Sequence, residues 1–189
     1  MNTPAHLIFG AAAFSKKDQK GSLAAAIFGA FVPDLSLYTM VGVSLFVLGV
    51  PAQTVFREYY YSDAWQSVFA VDNSIILWGL LLGFALWRGW RLVVVFASSA
   101  LLHLALDFPL HTHDARPHFW PVSDWVFYGP VSYWDSRAHA GIVGPIEVGA
   151  SVLLSIILFR RFPDWRIRAL VLVMLTAQIF SSGIWQFIF

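Results

Sequence analysis

Charge-poor stretches of helical length recur along the chain and limit the folds open to it. Five of them carry at most one charged residue each: Leu35–Phe56, Asn73–Trp87, Leu92–Leu106, Ala140–Phe159 and Ala169–Phe189. A helix needs about 20 mainly apolar residues to cross the hydrocarbon core of a bilayer. The pattern predicts an all-α fold, a polytopic transmembrane helical bundle. Small residues in two stretches are expected to allow close helix contacts: Gly79, Gly83, Gly144, Gly149 and Ala150.

Composition excludes several other classes of protein. Hydrophobic residues make up 58% of the 189 residues and charged residues only 12%, whereas a soluble domain carries about 25% charge. A freely soluble enzyme, a coiled coil and a disordered chain are therefore excluded. The net charge of +1 offers no field for nucleic-acid phosphates. The chain has no cysteine, which excludes disulfides and thiolate metal sites. We predict one integral membrane domain over residues 1–189, with membrane lipids as neighbours and no nucleic-acid partner.

Basic residues predict the orientation in the membrane. Nine of the twelve lie in three short loops: Lys16, Lys17, Lys20, Arg88, Arg91, Arg160, Arg161, Arg166 and Arg168. Loops rich in lysine and arginine stay in the cytoplasm. Tyr59–Val71, residues 108–139 and the C-terminus would then lie outside. In a bacterium this places the protein in the inner membrane, with residues 108–139 in the periplasm.

Two N-terminal segments do not have the pattern of a single membrane-spanning helix. Ala5–Phe14 is too short to span and lacks the features of a signal peptide, so we expect a half-helix packed inside the bundle. Pro33 interrupts the next apolar stretch, and proline lacks a backbone donor. We expect a helix over Ser22–Val32 that stops near Asp34. Leu35–Val50 is then either its kinked continuation or a helix lying against the bundle.

Ionisable residues concentrate in and after the stretch that ends near Asp107. His103 and Asp107 share one helix face, and the helix should end at Phe108 because Pro109 follows. The next segment is dense in nitrogen and oxygen donors: His111, His113, Asp114, Arg116 and His118. Ionisable groups in an apolar layer are costly and mark functional sites. The pattern predicts metal binding; the alternative is a capped helix end with histidines at the wet interface.

Three further ionisable residues, His6, Asp34 and Glu147, interrupt apolar segments. Counting residues from the basic loops at about 1.5 Å each places five groups at similar heights. These heights are roughly 17, 21, 18, 24 and 20 Å for His6, Asp34, His103, Asp107 and Glu147. We therefore predict a single buried metal centre, opening outward, that combines the first four with loop histidines and has Glu147 nearby.

The residue types also suggest the ion and the chemistry. Histidine and carboxylate ligands without cysteine suit zinc, manganese, iron or magnesium. Asp34, Asp114 or Glu147 could act as a general base. Arg116 and Arg137 lie outside the basic loops, where an arginine beside a metal could grip a phosphate or simply contact lipid headgroups.

Three motifs resemble one family. Thr3-Pro-Ala-His6-Leu-Ile-Phe-Gly-Ala, Gly29-Ala-Phe-Val-Pro-Asp-Leu and His103-Leu-Ala-Leu-Asp resemble the YdjM-type membrane-bound metal-dependent hydrolases, which are distantly similar to zinc-dependent phospholipase C. The resemblance implies an α-helical metal site, with zinc the first choice of ion. It implies as ligands His6, Asp34, His103, Asp107 and His111 or His113. His139 and Glu147 resemble the later histidine and glutamate of the phospholipases.

These observations favour a membrane-embedded, metal-dependent hydrolase that cleaves a phosphoester of a lipid or another amphiphile. The alternative is a metal-binding or metal-transporting membrane protein without hydrolytic activity. A membrane di-iron oxygenase fits poorly, because the six histidines do not form the HxxxH and HxxHH clusters of those enzymes.

Overall fold

The computed structural model of the protein describes the backbone of residues 1–188 and the side chains of residues 1–181. Within this part the chain is helical and has no strand, which confirms the all-α prediction. The helices are α1 (Thr3–Phe14), α2 (Ser22–Gly42), α3 (Ala52–Thr54), α4 (Asp63–Asp72), α5 (Ile75–Arg88), α6 (Arg91–Asp107), α7 (Ala140–Arg161) and α8 (Trp165–Ile188). Wider π-helical turns cover Val43–Val47 and Val55–Tyr59, and a 3-10 turn covers Ser136–Ala138. The predicted stretch Ala169–Phe189 falls in α8, but its last residue and the side chains from residue 182 onward lie outside the described residues.

Among the described residues, three helical stretches are long and apolar enough to cross a membrane: Ser22–Val47, Asp63–Arg88 and Ala140–Arg161. Large apolar side chains on their surfaces point away from the bundle, such as Leu80 at 66% exposure and Leu153 at 64%. The inside is lined by small residues, among which Ala26, Ala30, Ala97 and Ala100 are fully buried. Helices that pack through small residues and expose large apolar ones are suited to an apolar solvent.

Proline does not end α2. The helix passes through the buried Pro33, runs to Gly42 and continues as a π-helical turn to Val47. The predicted end of the helix near Asp34 is therefore wrong, and the alternative of a continued helix is confirmed. The predicted single pass over Leu35–Phe56 is also wrong, because this stretch is divided between the end of α2 and the segment that follows it. Proline removes one intrahelical hydrogen bond, but ending the helix in apolar surroundings would expose several backbone groups at once.

The segment after α2 turns back toward the bundle. The chain reverses at Gly49, whose φ is +65°, and returns through α3, a π-helical turn and α4, which packs along α2. Tyr59–Val71, expected as an outer connection, is thus largely helical. It covers the side of α2 that carries Asp34.

The three basic loops meet at one end of the bundle. Arg161 Nη1 donates to the carbonyl oxygens of Ala12 and Ser15 at 2.7 and 2.8 Å, which joins the third basic loop to the first. A surface cavity is lined by residues of the first and second loops, including Lys16 and Arg91. Helix α6 begins at this end, so Asp107 and residues 108–139 lie toward the opposite end.

Close helix contacts occur at glycines other than those expected. A Cβ added to Gly29 would overlap the backbone carbonyl of Phe96, and one added to Gly10 would lie 2.9 Å from Ala30 Cβ and overlap Ser99 Oγ. The expectation for the glycines of α5 and α7 is wrong, because a Cβ there meets no described atom within 4 Å: Gly79, Gly83, Gly144 and Gly149. Close approach therefore joins α1, α2 and α6, the helices that carry the candidate ligands.

Candidate metal centre

Helices α1, α2 and α6 run side by side in a register that repeats every four residues. The layer nearest the basic end contains Gly10, Ala26 and Ser99, and Ser99 Oγ donates to the Ala26 carbonyl at 2.6 Å. Because side chains four residues apart lie on one helix face, the next layers follow from this one. One step along each helix leads to His6, to Ala30 and to His103.

The second layer joins two histidines from distant parts of the chain. The rings of His6 and His103 stack with centroids 3.6 Å apart and planes 10° apart. His103 Nδ1 donates to the Ala30 carbonyl at 2.7 Å, and both rings are buried. The glycine contact in the layer below allows the two helices to come this close.

The third layer supplies carboxylates. Asp107 Oδ1 lies 2.8 Å from His6 Nε2, and Asp107 Oδ2 lies 3.1 Å from His111 Nε2; the Met1 amino group also contacts Asp107. Asp34 Oδ1 lies 3.7 Å from His103 Nε2. Thr3 Oγ1 donates to Asp34 Oδ2 at 2.5 Å, which fixes the second carboxylate beside the first.

Nε2 of His103 faces these carboxylates. A neutral imidazole has one proton, and the bond from Nδ1 to the Ala30 carbonyl assigns it to Nδ1. Nε2 is buried without a hydrogen bond in the described structure, although it lies only 3.3 Å from Asp107 Oδ2. A lone pair facing two carboxylate oxygens is unfavourable unless a proton or a cation lies between them. Histidines that bind metals commonly donate their other nitrogen to a carbonyl.

His6, His103 and Asp107 form a buried cluster, the metal cluster, that could hold a metal ion. One ligand atom from each lies within 4.8 Å of the others. Asp34 adjoins it through His103, and His111 adjoins it through Asp107. Two imidazoles with carboxylates suit zinc, manganese or iron, and the set contains no ligand that selects one of them.

Asp114 holds His111 in place. His111 Nδ1 lies 2.8 Å from Asp114 Oδ2, to which Trp134 Nε1 also donates at 3.0 Å. Burial opposes the charge on His111, but the carboxylates of Asp107 and Asp114 outweigh it and raise the pKa of His111 to about 9. Burial likewise opposes ionisation of Asp114, yet hydrogen bonds, first from His111 and then from Trp134, lower its pKa to about 2. Asp114 thus acts on the cluster through His111.

The other predicted histidine ligands lie away from the metal cluster. His118 is buried, and its Nδ1 lies 2.9 Å from the Asn73 carbonyl. His113 is exposed and meets the Trp134 ring at 5.0 Å between centroids. His139 is exposed before α7 with a φ of +67°. No contact joins any of these three to the cluster within the part of the chain that the structure describes.

Glu147 lies behind the cluster rather than in it. Its Oε1 accepts from Asn2 N at 2.8 Å, from Asn2 Nδ2 at 3.1 Å and from Gln178 Nε2 at 2.8 Å. Asn2 precedes α1, so Glu147 anchors the start of the helix that carries His6. This contact supports a structural role and places Glu147 near the centre, as the height count predicts.

The metal cluster borders a cavity of about 180 Å³. Its wall includes residues of α2, of the segment before α4, of the end of α6 and of the 108–139 segment: Asp34, Tyr60, Asp107, His111, Asp114 and Arg116. Arg116 is buried, with 7% of its surface exposed. Arg116 and Asp107 of the metal cluster therefore line the same cavity.

The predicted proximity of His6, Asp34, His103 and Asp107 is confirmed by these contacts. Sequence reasoning missed Thr3, Tyr60 and Gln66, which orient site residues. Only Thr3 had a signal, a hydroxyl three positions before His6; the others lie in segments expected outside the bundle. Comparison with protein-family models, curated proteins and solved structures found no match to this chain.

Proposed function

We propose that this protein is a membrane-embedded, metal-dependent hydrolase that cleaves a phosphoester of a lipid or another amphiphile. The observation that carries the proposal is Nε2 of His103, which is buried without a hydrogen bond among the described residues and faces Asp107 and Asp34. A divalent cation held by His6, His103 and Asp107 would satisfy the lone pair of His103 Nε2, with Asp34 beside it. Membership of the YdjM-type hydrolase family is part of the same proposal, with zinc as the first choice of ion.

The residues around the cluster suit hydrolysis. A bound divalent ion lowers the pKa of a water ligand and stabilises charge on phosphoryl oxygens. Asp34 is our choice of general base, because Oδ2 is fixed by Thr3 while Oδ1 faces the cluster. Asp114 has its oxygens engaged by His111, Trp134 and the Thr112 N–H. Glu147 is separated from the cluster by Asn2.

Metal transport is the weaker alternative. A path for an ion needs ligands at several depths, on both sides of the metal cluster. The layer below the cluster, toward the basic end, consists of Gly10, Ala26 and Ser99 in close contact. It offers one hydroxyl, already bonded, and no carboxylate or imidazole.

The proposed setting is a polytopic bundle in a bacterial inner membrane with the site toward the periplasm. Three candidate spans, an apolar exterior and the collection of basic loops at one end support it. Lysine and arginine mark the cytoplasmic side, so the opposite end would carry the 108–139 segment. An amphiphile in the outer leaflet would then lie beside the cavity.

Single cysteines in this cysteine-free chain test the orientation. In intact cells, an impermeant thiol reagent is expected to label Ser136→Cys, which lies on an exposed turn. Arg88→Cys should react only after the membrane is opened, because it lies at the basic end. Labelling of Arg88→Cys in intact cells would reverse the orientation and move the site to the cytoplasmic side.

The hydrolase proposal is tested on protein purified in detergent. We expect hydrolysis of soluble chromogenic phosphomonoesters or phosphodiesters, or of a short-chain phospholipid. A chelator should abolish it, and zinc or manganese should restore it. Metal-loaded protein that cleaves none of these substrates, yet carries metal across vesicle membranes, would favour the transport alternative instead.

A further inference from the structure

Arg116 is a buried cation held by neutral groups. Its Nη2 donates to the Tyr60 hydroxyl at 2.7 Å, and its Nη1 donates to Gln66 Oε1 at 3.1 Å. The guanidinium carbon lies 4.0 Å from the centre of the Phe69 ring. These contacts orient the guanidinium without neutralising it.

No carboxylate neutralises Arg116 by contact among the residues whose side chains the structure describes. Asp114, two positions earlier, directs its oxygens to His111, Trp134 and the backbone N–H of Thr112. A buried charge without a counter-ion is strongly unfavourable. The arrangement becomes favourable when an anion occupies the adjoining cavity.

The donors left on Arg116 suit a phosphate. A guanidinium has five N–H donors in a planar fork, and the contacts to Tyr60 and Gln66 use two. Such a fork binds phosphate oxygens in pairs. Burial raises the pKa of Tyr60, so its hydroxyl keeps its proton and is a further donor beside the fork.

Arg137 shows the contrast within the same segment. It is exposed, and its Nε and Nη2 donate to the two oxygens of Asp135, each at 3.1 Å. Its charge is thus paired and faces solvent. Arg116 and Arg137, which sequence reasoning treated alike, therefore have different environments.

We infer that Arg116, oriented by Tyr60 and Gln66, forms an anion subsite that holds the phosphate group of the substrate beside the metal cluster. The assignment of the anion to a substrate rests on the proposed function, but the subsite itself binds phosphate through the protein alone. Tyr60 and Gln66 are positioning residues. A lipid headgroup and free phosphate share this chemistry.

Calorimetric titration of the purified protein tests the subsite, with inorganic phosphate and a water-soluble short-chain phosphatidic acid as separate probes. Arg116→Gln is expected to weaken the binding of both by about tenfold or more, since charge-assisted hydrogen bonds are lost. Arg137→Gln is the matched control and should bind as the unaltered protein does. The tighter of the two probes identifies the source of the anion.

Two further variants keep the test decisive if Arg116→Gln does not fold. Arg116→Lys retains the charge but loses the fork, and Tyr60→Phe retains the ring but loses the hydroxyl; both should weaken phosphate binding. Equal binding in all three variants, or an equal loss in Arg137→Gln, would overturn the subsite. Phosphate binding that depends on Arg116 in a protein without hydrolytic activity would overturn only the hydrolase proposal. Hydrolysis with an unchanged KM in Arg116→Gln would overturn only the subsite.

Discussion

Replacing Asp107 by asparagine is expected to lower the metal affinity of the purified protein by more than about 100-fold. Even a residue that only hydrogen-bonds to a metal ligand typically changes metal affinity by about 10–100-fold when it is mutated. Asp107 contacts His6 and His111 and lies 3.3 Å from Nε2 of His103. Asparagine keeps the size but removes the charge that offsets a divalent ion. Metal content by elemental analysis and phosphoester hydrolysis should fall together.

Asp63→Asn is the matched control for this variant. Asp63 is an exposed aspartate in the first turn of α4, so the same change of charge should leave metal content and hydrolysis unaltered. Thermal unfolding of both variants separates a lost ligand from a lost fold. A folded Asp107→Asn protein with full metal content would contradict the assignment of the metal cluster.

Replacing Gly29 by alanine is expected to destabilise the protein by about 3 kcal/mol or more, the upper range for added atoms in a packed core. The new Cβ would overlap the backbone carbonyl of Phe96, and a backbone group cannot turn aside as a flexible side chain can. Helices α2 and α6 would have to separate. Because Ala30 and Asp34 both contact His103, metal binding should weaken as well.

Gly79→Ala provides the control for backbone effects. Gly79 lies inside α5, and a Cβ there meets nothing within 4 Å in the part of the chain that the structure describes. Alanine favours a helix over glycine by up to about 1 kcal/mol, so this variant should be as stable as the unaltered protein or slightly more stable. Thermal unfolding in detergent compares the two. Equal unfolding temperatures for Gly29→Ala and Gly79→Ala would show that α2 and α6 do not pack as described.

The core of the candidate site follows from local rules and could be predicted. The spacing of His103 and Asp107 places both on one face of α6, whatever the rest of the chain does. Counting along straight helices from the basic loops also placed His6 and Asp34 at the right height. The count succeeded because α2 continues through Pro33, which keeps the rise per residue regular up to Asp34.

The loop histidines show where local rules end. His111, His113 and His118 are equally good ligands by type and position, but among the described contacts only His111 reaches a cluster residue. A loop has no fixed period, so its side chains are directed by contacts such as those of Asp114 with His111 and Trp134. Trp134 lies 20 residues after Asp114, and no pattern in the chain predicts that the two meet.

Sequence alone determined the properties that depend on composition and on single helices. These are the all-α fold, the apolar exterior, the shared face of His103 and Asp107 and the common height of the ionisable residues. Only the tertiary structure decided which surfaces meet. Close helix contacts occur at Gly10 and Gly29 rather than at Gly79. Arg116 is buried, whereas Arg137 is exposed and paired with Asp135. The physical reason is that helical periodicity is a local property, whereas overlap of atoms and neutralisation of charge depend on residues far apart in the chain.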